Sequence, residues 1–233
     1  MPEQVAAISE IFSSLQGEGT HLGERHLFLR FETCNIHCEY CDELGKPGYD
    51  FNLDSAIESL KRLDNESGPH SYVSLTGGEP LVYLSFLKQL LPRLKGIGFK
   101  TYLETNGILW KALEQVIRWT DVVAMDVKPA SVTKERSFLS EHETFLKIAL
   151  NKETFIKMIS SKEIDLGEFQ ELCTMIARIR PNVPLILQPI SGEIEGHEDP
   201  ELMRLLGELQ IIGLGILEDV RIVPRLHKIL KIR

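Results

Sequence analysis

Apolar positions along this chain recur in two alternating rhythms. Short apolar runs fall at residues 26–32, 72–76, 100–104, 121–127, 153–159, 183–188 and 219–223, and read as strands. Longer stretches with apolar residues three and four apart lie between them, at 52–63, 81–94, 110–119, 137–150, 166–179 and 200–209, with a short one at 225–232. These read as helices. Asn52 or Asp54 caps the first, and Pro80 stands at the entry of the second, where a missing N–H costs little. Strands alternating with helices imply parallel βαβ units. About six units are too few for a closed eightfold barrel, which leaves a partial barrel or an open doubly wound sheet. The 233 residues read as one domain.

In either architecture, ligands sit beyond the carboxyl ends of the strands. Cys34 follows the first strand, Gly77-Gly78-Glu79 the second and Glu104-Thr105-Asn106-Gly107 the third. Asp126 and Lys128 follow the fourth, and Gln188 the sixth. No clear strand leads into Gly17-Glu18-Gly19, and position 22 is Leu, so these glycines make a poor dinucleotide loop.

Charge narrows the partners. With 26 Lys and Arg against 34 Asp and Glu, the net charge is −8, which disfavours bulk attraction to nucleic acid or an anionic membrane. No apolar run approaches the ~18 residues of a membrane span. The first ten residues carry two acids and no basic region, unlike a signal peptide, so a cytoplasmic protein is expected. Thiols stay reduced there, and clustered ones suggest metal.

Three of the four cysteines form Cys34-x3-Cys38-x2-Cys41. Three thiolates on one loop can ligate three irons of a [4Fe–4S] cluster and leave the fourth iron open. Zinc, with Cys173 or His37 as fourth ligand, is the alternative metal, although structural zinc prefers two ligand pairs. Three unconnected buried thiols are the other alternative. Cys173 belongs to the apolar pattern Phe169, Leu172, Cys173, Ile176 and reads as core. His21, His70, His142 and His197 fall in loop-like or polar stretches and carry no assignment.

With Tyr40 ahead of the third cysteine, this loop resembles the motif of the radical S-adenosylmethionine (SAM) superfamily. Thr76-Gly77-Gly78-Glu79-Pro80 resembles that superfamily's Gly-Gly-Glu-Pro motif. The opening Ile11-Phe-Ser-Ser-Leu-Gln-Gly-Glu-Gly19 is similar to that of the 7-carboxy-7-deazaguanine synthase family. The likeness continues through Phe28–Phe31, Glu104–Gly107, Asp126–Pro129, Leu187–Pro189, Arg221 and Leu226-His227-Lys228.

The resemblance implies an α/β partial (β/α)6-type barrel with a reduced core. It implies a lyase that converts 6-carboxy-5,6,7,8-tetrahydropterin to 7-carboxy-7-deazaguanine with loss of ammonia, towards queuosine-type 7-deazapurines. A 5′-deoxyadenosyl radical from SAM would take hydrogen from C6 of the pterin. The implied cofactors are a [4Fe–4S] cluster on Cys34, Cys38 and Cys41, SAM and Mg²⁺. The implied SAM contacts are Tyr40, Cys41, Asp42, Gly78, Glu79, Glu104, Asp126, Lys128 and Gln188. The implied substrate contacts are Leu15, Gln16, Gly17, Glu18, Arg30, Thr76 and His227, with Arg30 on the carboxylate. Where the family has a hydroxyl residue that helps hold Mg²⁺, this chain has Glu43, which is assigned to the metal. An external electron donor such as flavodoxin or ferredoxin and a homodimer are implied as well. Two other readings are an activase of a glycyl radical enzyme, which needs an exposed docking surface, and a zinc-binding interaction module.

Overall fold

The computed structural model describes residues 4–41, 45–190 and 199–232. In chain order the elements are β1 (Val5–Leu15), β2 (Arg25–Phe31), β3 (Tyr49–Asn52), α1 (Leu53–Ser67), β4 (Tyr72–Gly77), α2 (Leu84–Gly96), β5 (Thr101–Thr105), α3 (Trp110–Val116), β6 (Val122–Val127), α4 (Ala130–Thr133), α5 (Leu139–Ala149), β7 (Glu153–Ser160), α6 (Leu166–Ile179), β8 (Leu185–Pro189), α7 (Pro200–Leu214), β9 (Val220–Ile222) and α8 (Leu226–Leu230). The strands form one unclosed nine-stranded sheet in the order β3-β1-β2-β4-β5-β6-β7-β8-β9. From β2 to β9 every pairing is parallel, and β1 runs antiparallel to both β2 and β3. This is the expected partial barrel.

The two faces of the sheet carry different cores. Val123 and Met125 of β6 join the large apolar layer under the helices, whereas Val122 and Ala124 join a smaller cluster with Tyr102, Phe155 and Ile186. Side chains that alternate along a strand explain the division. Both faces are covered, so the parallel strands read as continuous apolar runs. Capping fixes the helix starts. Asn52 accepts from Ser55 N at 2.9 Å and Asp165 from Glu168 N at 2.8 Å, each meeting one of the orphan donors of a first turn.

Three local expectations are corrected. An 11-residue strand, β1, does lead into Gln16. A second strand, β3, follows the thiol loop at the sheet edge. The helix expected from residue 81 begins as a 3-10 turn, Pro80–Tyr83, because Glu79 caps Leu81 N at 3.0 Å, and the α-helix starts at Leu84. No helix among the described residues is long and apolar enough to cross a membrane.

Candidate active site

A cavity of about 530 Å³ lies at the carboxyl ends of the strands. Its rim is the thiol loop. Gly77, at φ +105°, and Gly78 bring the end of β4 flush against the chain entering that loop. Gly78 N donates to Phe31 O and Glu79 N to Thr33 O, both at 2.8 Å. A Cβ at Gly77 would stand 2.2 Å from Phe31 O, and one at Gly78 2.2 Å from Thr33 O, so only glycine permits this approach. Cys38 is buried, whereas Cys34 and Cys41 are exposed, and all three line the cavity. Asn106 braces the loop, donating from Nδ2 to Asn35 Oδ1 at 2.7 Å with Cys34 Sγ 4.0 Å away.

Zinc and a larger cluster make different demands on these thiols. Tetrahedral ligands on one zinc stand ~3.8 Å apart if each Zn–S bond is ~2.3 Å. Among the described residues, the one trio of ligand atoms within 4.8 Å of one another is His21, Glu24 and His26, and no trio of thiols qualifies. Cys173, at 0% exposure, is in the core under α6 as expected.

The walls carry the charges. Lys128 Nζ lies 2.8 Å from Asp126 Oδ2 and 5.7 Å from the Tyr40 ring centre. Burial alone would favour its neutral form, but Asp126 wins and raises its pKa. Deeper in, Glu104 accepts from Gln16 Nε2 and from Thr76 Oγ1, each at 2.9 Å. Burial raises the Glu104 pKa. Lys157 bonds to Glu18 and lies 3.3 Å from Asp126 Oδ2. Burial would raise the Glu18 pKa as well, but Lys157 and Arg225 bring it down to about 2. Arg30 stacks its guanidinium 5.1 Å from the Phe12 ring centre and lies 3.9 Å from Glu10 Oε2. At the far wall, Gly17 lies against the His227 side chain, and Gly17 O accepts from Leu226 N at 2.9 Å.

Most of the expected site residues meet in this one cavity. They are Leu15, Gln16, Gly17 and Glu18 after β1, Arg30 on β2, the cysteines with Tyr40, Thr76 and Gly78 by β4, Glu104 on β5, Asp126 and Lys128 by β6, and His227 on α8. Two do not line it. Glu79 is fully buried behind the strand ends, where its carboxylate accepts from Asn106 N at 2.7 Å, Leu81 N at 3.0 Å and Thr105 Oγ1 at 2.9 Å. Gln188 lies within β8 rather than after it, also fully buried. Asp42, Glu43 and His197 lie outside the described residues. Sequence reasoning missed Lys157, a lone cation inside the apolar strand β7, and Arg225 beside it in the cavity.

The chain also matches known proteins. Residues 29–149 match the family model of the Radical SAM superfamily. A 7-carboxy-7-deazaguanine synthase of Geobacter sulfurreducens is 33% identical, with 98% of each chain covered. The chain belongs to the 7-carboxy-7-deazaguanine synthase family of the radical SAM superfamily. A synthase of the same name from Methanocaldococcus jannaschii is 29% identical over 96% of this chain and 98% of its own. In fold, the chain is similar to the crystal structure of QueE from Escherichia coli, with a TM-score of 0.63 and 20% identity, covering 96% of this chain and 95% of that one.

The cofactors of this family fit the cavity. Buried Asp126 Oδ1 and the Tyr40 hydroxyl, both on cavity-lining residues, have no hydrogen-bond partner among the described residues. A polar ligand would supply what these atoms lack. Cys34, Cys38 and Cys41 are the residues that would hold the iron–sulfur cluster, and Tyr40, Gly78, Asp126 and Lys128 would face SAM beside it.

Proposed function

We propose that this chain converts 6-carboxy-5,6,7,8-tetrahydropterin to 7-carboxy-7-deazaguanine with release of ammonia. The observation that carries the reading is one cavity that joins the three-thiol loop to Arg30 and to the Gln16–Glu104 pair. When bound, the cluster and SAM supply radical chemistry that removes a hydrogen atom from a carbon centre. The chain's own residues position the pterin. Arg30, flattened on Phe12, offers a planar donor fork to the carboxylate. Glu104, expected from the sequence at SAM, is bonded to the expected substrate contacts Gln16 and Thr76 and is assigned here, with Glu18, to the N–H edges of the pterin. Gln16 and Thr76 hold the Glu104 carboxylate in place. Lys157 balances the charge of Glu18 and Asp126, so that these groups stay oriented in the cavity wall.

Further assignments rest on the same reading. Glu43 ligates Mg²⁺ beside the substrate carboxylate, a flavodoxin or ferredoxin supplies the electron, and the enzyme works as a cytoplasmic homodimer built from one domain per chain. Mg²⁺-stimulated turnover, with Glu43→Ala requiring more Mg²⁺ than Glu43→Thr, supports the metal role. Turnover indifferent to Mg²⁺ and to chelator rejects it.

The decisive experiment is product analysis by mass spectrometry after anaerobic incubation with SAM, reductant and the carboxypterin. The deazaguanine acid is the expected product. Cleavage of SAM with the carboxypterin left intact would point to another substrate, including the protein substrate of an activase.

A further inference from the structure

At the opposite end of the barrel, two histidines converge on one carboxylate. His21 lies in the turn after β1, and His26 is the second residue of β2. They are 8% and 0% exposed. Neither lines the cavity described above. His21 Nε2 is 2.9 Å from Glu153 Oε1, and its Nδ1 is 3.1 Å from Glu24 Oε1. His26 Nδ1 is 2.8 Å from Ser74 Oγ. Its Nε2 is buried with no hydrogen-bond partner and faces Glu24 Oε2 at 3.7 Å. Tyr72 and Tyr102 pack against both rings, with centroids 5.1–5.4 Å away.

This arrangement has the form of a metal site at two levels. A ligating imidazole is commonly oriented by a hydrogen bond from its other ring nitrogen to a carboxylate or similar acceptor. Glu153 and Ser74 occupy those positions here. With protons on the outer nitrogens, the inner nitrogens turn lone pairs towards the Glu24 carboxylate. Three acceptors then face one another with no donor between them, and a cation satisfies all three. Burial brings the His26 pKa down to about 4, so this ring is neutral at pH 7, the form that binds metal. Ligand atoms ~2.1 Å from one ion at tetrahedral angles stand ~3.4 Å apart. The three residues each offer one ligand atom within 4.8 Å of the others, a spread that small side-chain rotations close onto one ion. The Glu24 side chain is 41% exposed, which leaves an entry path and room for a water as fourth ligand.

We propose that His21, Glu24 and His26 bind a zinc-type divalent ion, separately from the thiol loop, and that this ion clasps the turn carrying Gln16 and Glu18 to β2. Two imidazoles and one carboxylate suit zinc better than magnesium or calcium, which prefer oxygen donors alone.

The test uses anaerobically reconstituted protein whose thiols already hold iron. It is equilibrated with micromolar zinc and desalted, and iron and zinc are counted by elemental mass spectrometry. The native chain should retain about one zinc per chain with iron unchanged, and its thermal midpoint should rise, because an ion that binds only the folded form stabilises it. Glu24→Gln, a change on a partly exposed side chain, and His26→Phe should each reduce the zinc at least tenfold while keeping the iron. If His26→Phe does not fold, Glu24→Gln decides alone. No zinc on the native chain, or the same zinc on Glu24→Gln, overturns the site. Iron lost together with zinc in Glu24→Gln overturns its separation from the thiol loop.

Discussion

Lys157 on β7 closes an ion pair with Glu18, 139 positions earlier in the chain, inside the barrel. The ammonium also faces Asp126, so removing it leaves Glu18 with Arg225 and Asp126 with Lys128 as their remaining cations. Lys157→Met should cost less than the about 3–5 kcal/mol of a buried charge left wholly uncompensated, because Arg225 and Lys128 remain. Adding Glu18→Gln should recover more than about 1 kcal/mol relative to the sum of the single losses. Denaturant unfolding of all four proteins under anaerobic conditions checks this. Additive losses would show that the two residues act independently.

Glu79 gives stability a dependence on pH. Burial raises its pKa from 4.5 to about 7 against the opposing hydrogen bonds from Asn106, Leu81 and Thr105. A group with a raised folded pKa stabilises fully below its unfolded value, and that stability is lost as pH rises through the folded value. Stability should therefore decline between about pH 4.5 and pH 7, by about 3 kcal/mol if the whole shift is realised. Glu79→Gln should flatten this slope. The same slope in the variant and the native protein would assign it to another group.

The parallel strands were legible because β4 to β8 are covered on both faces and appear as unbroken apolar runs. β1 was not, since Ser9, Glu10, Ser13 and Ser14 dilute its alternation. Its register comes from pairing with β2 and β3 rather than from its own pattern. Most of the site was legible through motifs at strand ends. Lys157 was not, because a cation within a strand usually marks the solvent face, and its partners are Glu18 from a distant turn and Asp126 across on β6. Glu79 was read as a SAM contact through the resemblance of Gly77–Pro80 to the superfamily's Gly-Gly-Glu-Pro motif. The structure turns its carboxylate inward to hold Asn106 and Leu81.

The thiols should separate by position. Cys34→Ala, Cys38→Ala and Cys41→Ala should each abolish SAM cleavage and lose most of the iron. Cys173→Ala, in the core under α6, should keep both and lose about 1 kcal/mol of stability to the small cavity it leaves. Iron analysis and SAM cleavage assays check this. A Cys173 variant without iron, beside a cavity-cysteine variant that retains it, would reverse the assignment.

Arg30→Ala should weaken pterin binding far more than SAM binding. A charge-assisted bond to a carboxylate contributes about 1.5–3 kcal/mol, or roughly 10- to 150-fold in affinity. Loss of the Phe12 stack and the Glu10 pair adds a smaller, ligand-independent cost to stability. Binding isotherms for the two ligands decide the matter. Equal weakening would make Arg30 a structural residue.

Gly17 and His227 set the wall that α8 builds against the cavity. A Cβ at Gly17 would stand 2.2 Å from His227 Nδ1, and the other atoms crowding it, at 2.8 and 2.9 Å, belong to the same side chain. Gly17 is not among the residues at positive φ, so alanine fits its backbone and the strain falls on the imidazole alone. Overpacking of this kind costs about 1–3 kcal/mol or displaces the softer partner. The softer partner is α8, a five-residue helix tied to Gly17 by the Leu226 N–H. Gly17→Ala should therefore expose the C-terminal segment to proteolysis and weaken pterin binding several-fold. His227→Gly added to Gly17→Ala removes the clash, so α8 should become protected again, while pterin affinity stays low because the imidazole is gone. Unchanged proteolysis and pterin affinity in Gly17→Ala would mean that α8 does not bear on the substrate site.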